Sequence, residues 1–495
     1  MTINQIINQF KENNPKADTT MIQLAYEFAQ KAHATQKRKS GEPYIQHSLH
    51  TAFILAQIKA DMETVIAGIL HDIPEDTEFT LADIEKNFGK EIADLVEGIT
   101  KLSKIKYRGI ERYSESLRKM FLAMAKDLRV ILIKFADRLH NLKTLESLPL
   151  EKRQRIAKET LEIYAPIAGL LGVFRLKWQM EDICFKHLYP EEYKKLEYKY
   201  EVEKKYEHNQ YIQRVKNILG TKLKEAKIHF QVTSRFKHLY SIFQKMQKKE
   251  RKFDEIFDVF AFRVIVPNIA DCYKTLGIIH SLWRPNASRF KDYIAVPKPN
   301  GYKSLHTTVF GPEQKFVEIQ IRTERMHEEA EFGIASHWAY TEHGKPKSGV
   351  KINQKQLVWA RQLRQWQKET TDRPEEFLES LKIDFFKNRI FIFTPKGDVK
   401  DLPDGSTPID FAFSVHTDLG LHCGGAKING KMAKLDSKLK NGDLVEILED
   451  KKIKVSNDWI SMTASTNARG KIRAYLKKNE EGLFSRFTPD FIKRK

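Results

Sequence analysis

Residues 63–77 read ETVIAGILHDIPEDT. Val65, Ile66, Ile69 and Leu70 recur at the spacing of one helix face, which predicts an amphipathic helix packed on a core. The run ends on His71-Asp72, with Glu75 and Asp76 close behind. Adjacent residues on a helix project about 100° apart, so the pair cannot both face one core; one or both serve something else. Working outward, His47 follows the turn-like SGEPY of residues 40–44. RVILIKFADRLHNLKTL, residues 129–145, repeats the helical spacing and sets Asp137 and Asn141 four apart on one face. Imidazoles with carboxylates form a mixed nitrogen and oxygen set suited to a divalent ion such as Mn²⁺, so His47, His71, Asp72 and Asp137 are candidate ligands. Glu75 and Asp76 are candidate acid/base groups that orient or deprotonate a water. A lone histidine is usually a satisfied structural residue; two of them with carboxylates and further acids weigh the other way.

At 495 residues, and roughly 100–200 residues per domain, the chain has room for three or four domains. Hydrophobic residues at 41% and charged residues at 30% suit a soluble globular protein. No run of 18 apolar residues occurs, so no membrane span is expected. MTINQIINQF lacks the features of a signal peptide, and the expected location is the cytoplasm. Cys184, Cys272 and Cys423 are far apart, which argues against a disulfide framework or a structural zinc site. The net charge of +20 favours polyanions such as nucleotides or RNA. It is uneven: Arg214–Lys252 holds 12 basic residues against 2 acids, and Thr466 onward 9 against 3. The tail is equally well read as a solvated helix face.

Residues 1 to about 195 read as helical and 196–230 as charged helix. From Phe257 the period changes: DVFAFRVIV (258–266) and KFVEIQIRT (315–323) are strand-like. The second alternates, which puts Glu318, Gln320 and Arg322 on one face and Val317, Ile319 and Ile321 toward a core. Between them RFKDYIAVPKPNGYKS (289–304) reads as loop and short strand. SRFKHLYSIFQKM (234–246) presents Arg235, Lys237 and His238 just before a helix, and Lys245 and Lys248 follow; such clamps neutralise transferring phosphoryl groups. Asp258 and Glu318, one carboxylate from each strand, suit a Mg²⁺ clamp completed by phosphate oxygens. Tyr302 is a candidate stacking platform for a purine. Helix is expected again at 325–340, then a polar linker. A β-leaning segment runs from Arg389 to near Glu449, with turns at Pro395-Lys396-Gly397 and Asp404-Gly405, and helix follows.

RKSGEPYIQH (38–47), HDIPEDT (71–77) and ADRLHNLKTL (136–145) resemble the HD-type hydrolase domain of RelA/SpoT alarmone enzymes. The resemblance implies Mn²⁺ on His47, His71, Asp72 and Asp137, and attack of water on a 3′-pyrophosphate promoted by Glu75 and Asp76. It also implies nucleotide contacts from Arg38, Lys39, Ser40, Asn141 and Thr144. Relatives that only synthesise have lost the His-Asp pair. One departure is YAPIAGLLG (164–172), where a His-Arg pair is expected in place of Gly169-Leu170, which bears on domain coupling or nucleotide fit. DVFAFRVIV, RFKDYIAVPKPNGYKSLHTTVFG (289–311), VEIQIRTERMHEEAE (317–331) and ASHWAY (335–340) are similar to the family's synthetase domain. That likeness implies pyrophosphate transfer from ATP to the 3′-hydroxyl of GDP or GTP. Asp258 would bind Mg²⁺, and Glu318 would assist the metal and activate the hydroxyl. Arg235, Lys237, Lys298 and His306 would surround phosphates, and Tyr302 would stack on guanine; Gln320, on the face of Glu318, joins the nucleotide-binding set. The basic R-x-K-D of residues 289–292 matches bifunctional members.

Residues 390–448, from IFIFTPKGD through KLKNGDLVEIL, resemble a TGS domain, a small β-grasp module that in this family senses deacylated tRNA on the ribosome, with His416 at the RNA contact; Leu421-His422 departs from the usual residues there. A purely intramolecular regulatory role is the other reading of this segment. The likeness covers about residues 20–478, and the Cys-rich and ACT modules of the family's long form do not follow, as expected of a short form or a truncation. The expected architecture is therefore an all-α HD-type domain (1–195), an α/β synthetase domain with a nucleotidyltransferase-like mixed sheet (196–345), a linker (346–386), a β-grasp TGS domain (387–450) and a helical tail (451–495). The expected function is synthesis and hydrolysis of (p)ppGpp. The alternatives are a hydrolase with a silent synthetase and an RNA-binding regulator on the ribosome.

Overall fold

The computed structural model describes residues 1–103, 126–205, 208–249, 260–298, 301–333, 389–440, 442–453 and 455–487, with residues 123 and 335. They fall in two compact units, one up to residue 335 and one from residue 389. In the first unit the described residues up to Lys205 are helical. Helices Ile45–Gln57, Met62–Leu70 and Arg129–Lys143 form the heart of this part, burying Leu49, Leu55, Val65, Ile69, Ile131 and Phe135. Asp61 caps Met62–Leu70 by accepting from the Thr64 amide, satisfying one of the donors every helix start leaves unpaired. Gly68 faces Leu55: a Cβ there would lie 2.4 Å from Leu55 Cδ1 and 3.7 Å from the Ala52 Cα, so any larger residue must turn the Leu55 side chain aside. That approach brings His47 beside His71.

The second half of the unit is a five-stranded mixed sheet in the order β1-β2-β5-β4-β3, where β1 is Gln231–Phe236, β2 Phe260–Val266, β3 Lys291–Asp292, β4 Leu305–Phe310 and β5 Phe316–Thr323. Strands β2 and β5 run parallel, and the other pairs are antiparallel. Strand β1 was not expected from sequence, because QVTSRF is mostly polar; it forms by pairing with β2 at the sheet edge. Val317, Ile319 and Ile321 are fully buried on one face of β5, as its alternation predicts. Arg322 breaks the expected exposed face, at 1% exposure. The helix expected over 325–340 runs from Glu324 to Phe332 and stops at Gly333, whose φ is 55°; residues 334 and 336–340 lie outside the described residues, as does the 346–386 linker.

In the second unit β6 (Arg389–Phe393) pairs with β7 (Val399–Pro403), and β8 (Cys423–Ile428) lies between β10 (Val445–Glu449) and β9 (Lys431–Ala433). Gly397 and Gly405 take left-handed φ of 86° and 90° in the two expected turns. Helix Pro408–Val415 packs on both sheets through Phe411, beside Ile392 and Val445, and through Phe413, beside Cys423 and Trp459. Asp410 accepts from the amides of Thr407, Ala464 and Ser465, which fastens the start of helix Thr466–Phe487 to this core. No helix among the described residues is long and apolar enough to cross a membrane.

Candidate functional site

Helix Met62–Leu70 ends at His71, and Asp72 begins the short helix Ile73–Asp76. Both residues have helical backbone angles, with φ of −60° and −95°, and their side chains nevertheless meet. His47, His71 and Asp137 are buried, with ligand atoms all within 4.8 Å of one another. Asp72 Oδ2 lies 3.1 Å from His71 Nε2 and 3.4 Å from His47 Nε2, and Asp137 Oδ1 lies 3.3 Å from His47 Nε2. Three of the four expected ligands therefore form one set, and the fourth, Asp72, borders it through both histidines.

The donor set fits a divalent cation. His71 donates its Nδ1 hydrogen to the Gly68 carbonyl at 2.9 Å, which makes Nε2 the ring nitrogen an ion would take in place of a proton. That Nε2 is buried, with Asp72 Oδ2 3.1 Å away. Burial alone would lower the His71 pKa, but Asp72 and Asp137 outweigh it and raise it to about 9. Both carboxylates resist burial and sit well below the usual range, Asp72 through His71 and His47, Asp137 through Lys134 and His47. The same field that draws a proton to His71 draws a cation. Lys134 Nζ holds Asp137 Oδ2 at 2.8 Å, and Asn141 Nδ2 donates to Asp137 Oδ1 at 2.5 Å.

Two participants were not anticipated. The Tyr44 hydroxyl stands 2.8 Å from Asp72 Oδ2 and 2.6 Å from Asp76 Oδ2, spanning a candidate ligand and a candidate acid/base group. Burial and then Asp72 push its pKa far up, so it stays protonated. His140, buried among His47, His50 and Arg38, is pushed down to about 2 by burial and then by His47, and is neutral. Tyr44 lies inside RKSGEPYIQH and His140 inside ADRLHNLKTL, yet neither spacing nor composition separates them from core residues. Glu75 and Asp76 are exposed. Beside this cluster opens a cavity of about 380 Å³ whose lining includes Arg38, Lys39, Ser40, Asn141 and Thr144, together with Lys152.

The second cluster centres on Glu318, in the middle of the sheet. Lys237 Nζ donates to Oε2 at 3.2 Å, Gln320 Nε2 donates to Oε1 at 3.0 Å, and His306 Nδ1 lies 3.6 Å from Oε1. The Tyr302 hydroxyl meets His306 Nε2 at 2.8 Å, and Lys298 Nζ sits 5.1 Å over the Tyr302 ring. Burial and then Lys291 lower the Lys298 pKa. Asp258, the carboxylate expected to pair with Glu318, lies outside the described residues. Arg235 lies 3.3 Å over the ring of Trp178, and its Nη2 donates to His238 Nε2 at 2.9 Å. His238 in turn donates Nδ1–H to Asp182 at 3.0 Å. Trp178 and Asp182 both belong to helix Phe174–Leu188, from the helical half of the unit, and sequence reading passed over them. Arg263 and Arg322 converge with Arg235 on the single carboxylate of Glu331, leaving an excess of positive charge under the sheet. In the second unit, His416 is exposed at the start of helix Thr417–Leu421, where its Nδ1 accepts from the Asp418 amide.

A helical domain with a His/Asp cluster, a mixed sheet bearing a carboxylate in a basic cradle, and a small β module define a multidomain chain of the HD class. Family models agree: an HD domain matches residues 25–174, a region found in RelA / SpoT proteins matches 234–345, and a TGS domain matches 390–449. The chain is 45% identical over 471 residues to a GTP pyrophosphokinase of Myxococcus xanthus, covering 94% of this chain and 62% of that one. It is 48% identical over 460 residues to a guanosine-3′,5′-bis(diphosphate) 3′-pyrophosphohydrolase of Aquifex aeolicus, covering 93% and 65%. With the bifunctional (p)ppGpp synthase/hydrolase SpoT of Escherichia coli K12 it shares 45% identity over 479 residues, covering 96% and 67%. The chain belongs to the RelA/SpoT family. It spans 62–67% of the length of these three relatives.

Proposed function

We propose that this chain catalyses two opposed reactions on guanosine nucleotides. One transfers pyrophosphate from ATP to the 3′-hydroxyl of GDP or GTP, giving (p)ppGpp and AMP; the other hydrolyses (p)ppGpp to GDP or GTP and pyrophosphate. The observation that carries the reading is a buried His47–His71–Asp137 cluster beside a basic cavity, in the same chain as a Glu318 cradle of lysine, histidine and glutamine.

In the first reaction His47, His71, Asp72 and Asp137 would hold Mn²⁺, which when bound polarises water and neutralises phosphate oxygens. Glu75 or Asp76 takes the proton from the water as its oxygen attacks the 3′-pyrophosphate phosphorus. The bond from phosphorus to the 3′-oxygen breaks, and that oxygen leaves with the proton that the acid/base group returns. Tyr44 holds Asp76 in place through the contact at 2.6 Å. Arg38, Lys39, Ser40, Asn141 and Thr144 bind the nucleotide. In the second reaction Asp258 and Glu318 would hold Mg²⁺, which when bound neutralises charge on the transferring group; Glu318 accepts the proton of the 3′-hydroxyl as its oxygen attacks the β-phosphorus of ATP, and the bond from that phosphorus to the α–β bridging oxygen breaks, releasing AMP. Arg235, Lys237, Lys298 and His306 bind phosphates, Gln320 orients Glu318, and Tyr302 stacks on the guanine. Phosphoryl-type transfer depends mainly on such positioning and charge neutralisation.

The β module is read as a sensor of deacylated tRNA on the ribosome through His416. The working division is 1–195 for hydrolysis, 196–345 for synthesis, 346–386 as linker, 387–450 for the TGS domain and 451–495 as tail. The nucleotides are those of the cytoplasm, which is where the reactions would run. The test is incubation with ATP, GDP and Mg²⁺, then with ppGpp and Mn²⁺, following AMP, ppGpp and pyrophosphate. Glu318→Gln should stop AMP formation while nucleotides still bind and hydrolysis continues. Normal ppGpp synthesis by that variant would make Glu318 a structural strand residue.

A further inference from the structure

We infer that His140 is a positioning residue that fixes His47 for the metal centre and ties that centre to the nucleotide-facing Arg38; the inference rests on the reading of the first site as a metal centre. His140 and His47 present Nδ1 to each other at 2.7 Å, so a single proton lies between the rings. Arg38 Nη1 lies 3.3 Å from the same His140 nitrogen. A guanidinium has donors only, so His140 Nδ1 is an acceptor and the shared proton comes from His47. With its proton on Nδ1, His47 keeps the lone pair on Nε2, the atom 3.4 Å from Asp72 and 3.3 Å from Asp137. His140 thus selects the one tautomer of His47 that can bind an ion at this place.

The same guanidinium acts on a second ligand. Arg38 Nη2 donates to Asn141 Oδ1 at 2.5 Å, which turns the amide so that Asn141 Nδ2 donates to Asp137 Oδ1 at 2.5 Å. One arginine side chain on the cavity wall therefore sets the hydrogen-bond sense of two neighbouring residues, and each of these holds one candidate ligand. Outer partners of metal-binding imidazoles typically change affinity by roughly 10–100-fold when removed. The competing account is that His140, 4% exposed and stacked on His50 at 4.7 Å, only fills space. Shape alone would then tolerate leucine.

The experiment measures Mn²⁺ affinity by calorimetry on the full chain without nucleotide. His140→Leu keeps the bulk and removes the acceptor; His140→Asn places Oδ1 where Nδ1 stood. Leucine should weaken binding by roughly 10–100-fold, asparagine should restore most of it, and Arg38→Ala should weaken it with no nucleotide present. Circular dichroism, and AMP formation from ATP and GDP at the second site, establish that each variant is folded. Wild-type affinity in His140→Leu, or equal loss in His140→Asn and His140→Leu, overturns the positioning role. Unchanged affinity in Arg38→Ala overturns the tie to the nucleotide side. A wild-type chain that binds no Mn²⁺ sinks the metal reading and this inference together. One that binds Mn²⁺ but leaves ppGpp intact sinks only the proposed substrate.

Discussion

Single side chains in the two clusters work with opposite fields. Around His71 the carboxylates of Asp72 and Asp137 create a point that attracts positive charge, and they raise that imidazole to about 9. Replacing His71 or Asp72 with alanine should abolish Mn²⁺-dependent ppGpp hydrolysis while synthesis continues; retained hydrolysis in either variant would remove it from the ligand set. Glu75→Gln should keep the ion and lose turnover by about 10²–10⁴-fold, the usual contribution of an acid/base group. At the second cluster, cations dominate. Burial, reinforced by Lys298 and Arg322 against the pull of Glu318, pushes His306 down to about 3. The folded chain then holds this histidine neutral where the unfolded chain, titrating near ~6.5, takes up a proton. Unfolding therefore binds protons, so the stabilising contribution is complete above about pH 6.5 and is lost as pH falls toward 3. Nucleotide-free wild type should lose about 1–2 kcal/mol more than His306→Gln between pH 7.5 and pH 5, seen as a difference in denaturant midpoint. Parallel midpoints would mean that His306 is solvated or already paired as a cation.

At the scale of elements, two contacts set the sites. The first is Gly68, whose missing Cβ lets helix Met62–Leu70 close on Leu55 and whose carbonyl orients His71. Gly68→Ala overpacks this crossing, which typically costs about 1–3 kcal/mol. It should also weaken Mn²⁺ binding, because the helix that carries His71 moves away from the one that carries His47. A drop in melting temperature with unchanged Mn²⁺ affinity would show that the crossing serves packing alone. The second is helix Phe174–Leu188, which presents Trp178 and Asp182 to Arg235 and His238. Asp182→Asn weakens the hold on His238, and charged hydrogen bonds contribute about 1.5–3 kcal/mol. The expected result is a KM for ATP raised about tenfold or more, with ppGpp hydrolysis unaltered; an unchanged KM would detach Asp182 from the second site.

Across the whole molecule, the helical half and the sheet half of the first unit share this helix and meet elsewhere at tight contacts. Lys59 pairs with Glu328 at 2.6 Å, and a Cβ on Gly333 would lie 2.3 Å from the Leu171 carbonyl. Synthesis and hydrolysis run together would only consume ATP, which gives reciprocal control a purpose. Arg235 is engaged by Trp178 and Glu318 by Lys237, so groups proposed to bind nucleotide are occupied by side chains here. We expect nucleotide at one site to change the kinetics of the other, and Trp178→Ala to weaken that effect. Steady-state hydrolysis with and without ATP and GDP analogues decides it: identical rates in the wild type would show two independent heads.

Much of this was legible in the residues. Helical periodicity around ETVIAGIL, alternation in VEIQIRT and the turns at Gly397 and Gly405 are local properties, because side-chain period and left-handed φ are decided within a few residues. The candidate ligands of the first site were named from chemistry and spacing; three of them, His47, His71 and Asp137, share one centre, and Asp72 borders it through the two histidines. Strand β1 escaped notice because QVTSRF gains its conformation from pairing with β2 and not from its own pattern. Tyr44, His140, Trp178 and Asp182 look like ordinary helix or turn residues until distant segments arrive beside them: 28 positions separate Tyr44 from Asp72, 93 separate His47 from His140, and 56 separate Asp182 from His238. Arg322 belongs to the same class, since its strand face predicted exposure and packing buried it. Sequence alone determined the elements with a pattern of their own, the cation-binding residue types and the family likeness, all of which depend on neighbours along the chain. Only the tertiary structure decided which nitrogen of each histidine faces the centre, which arginine touches which helix, and how one half of the unit braces the other. Hydrogen bonds and charge interactions act over a few ångströms, and folding alone sets those separations.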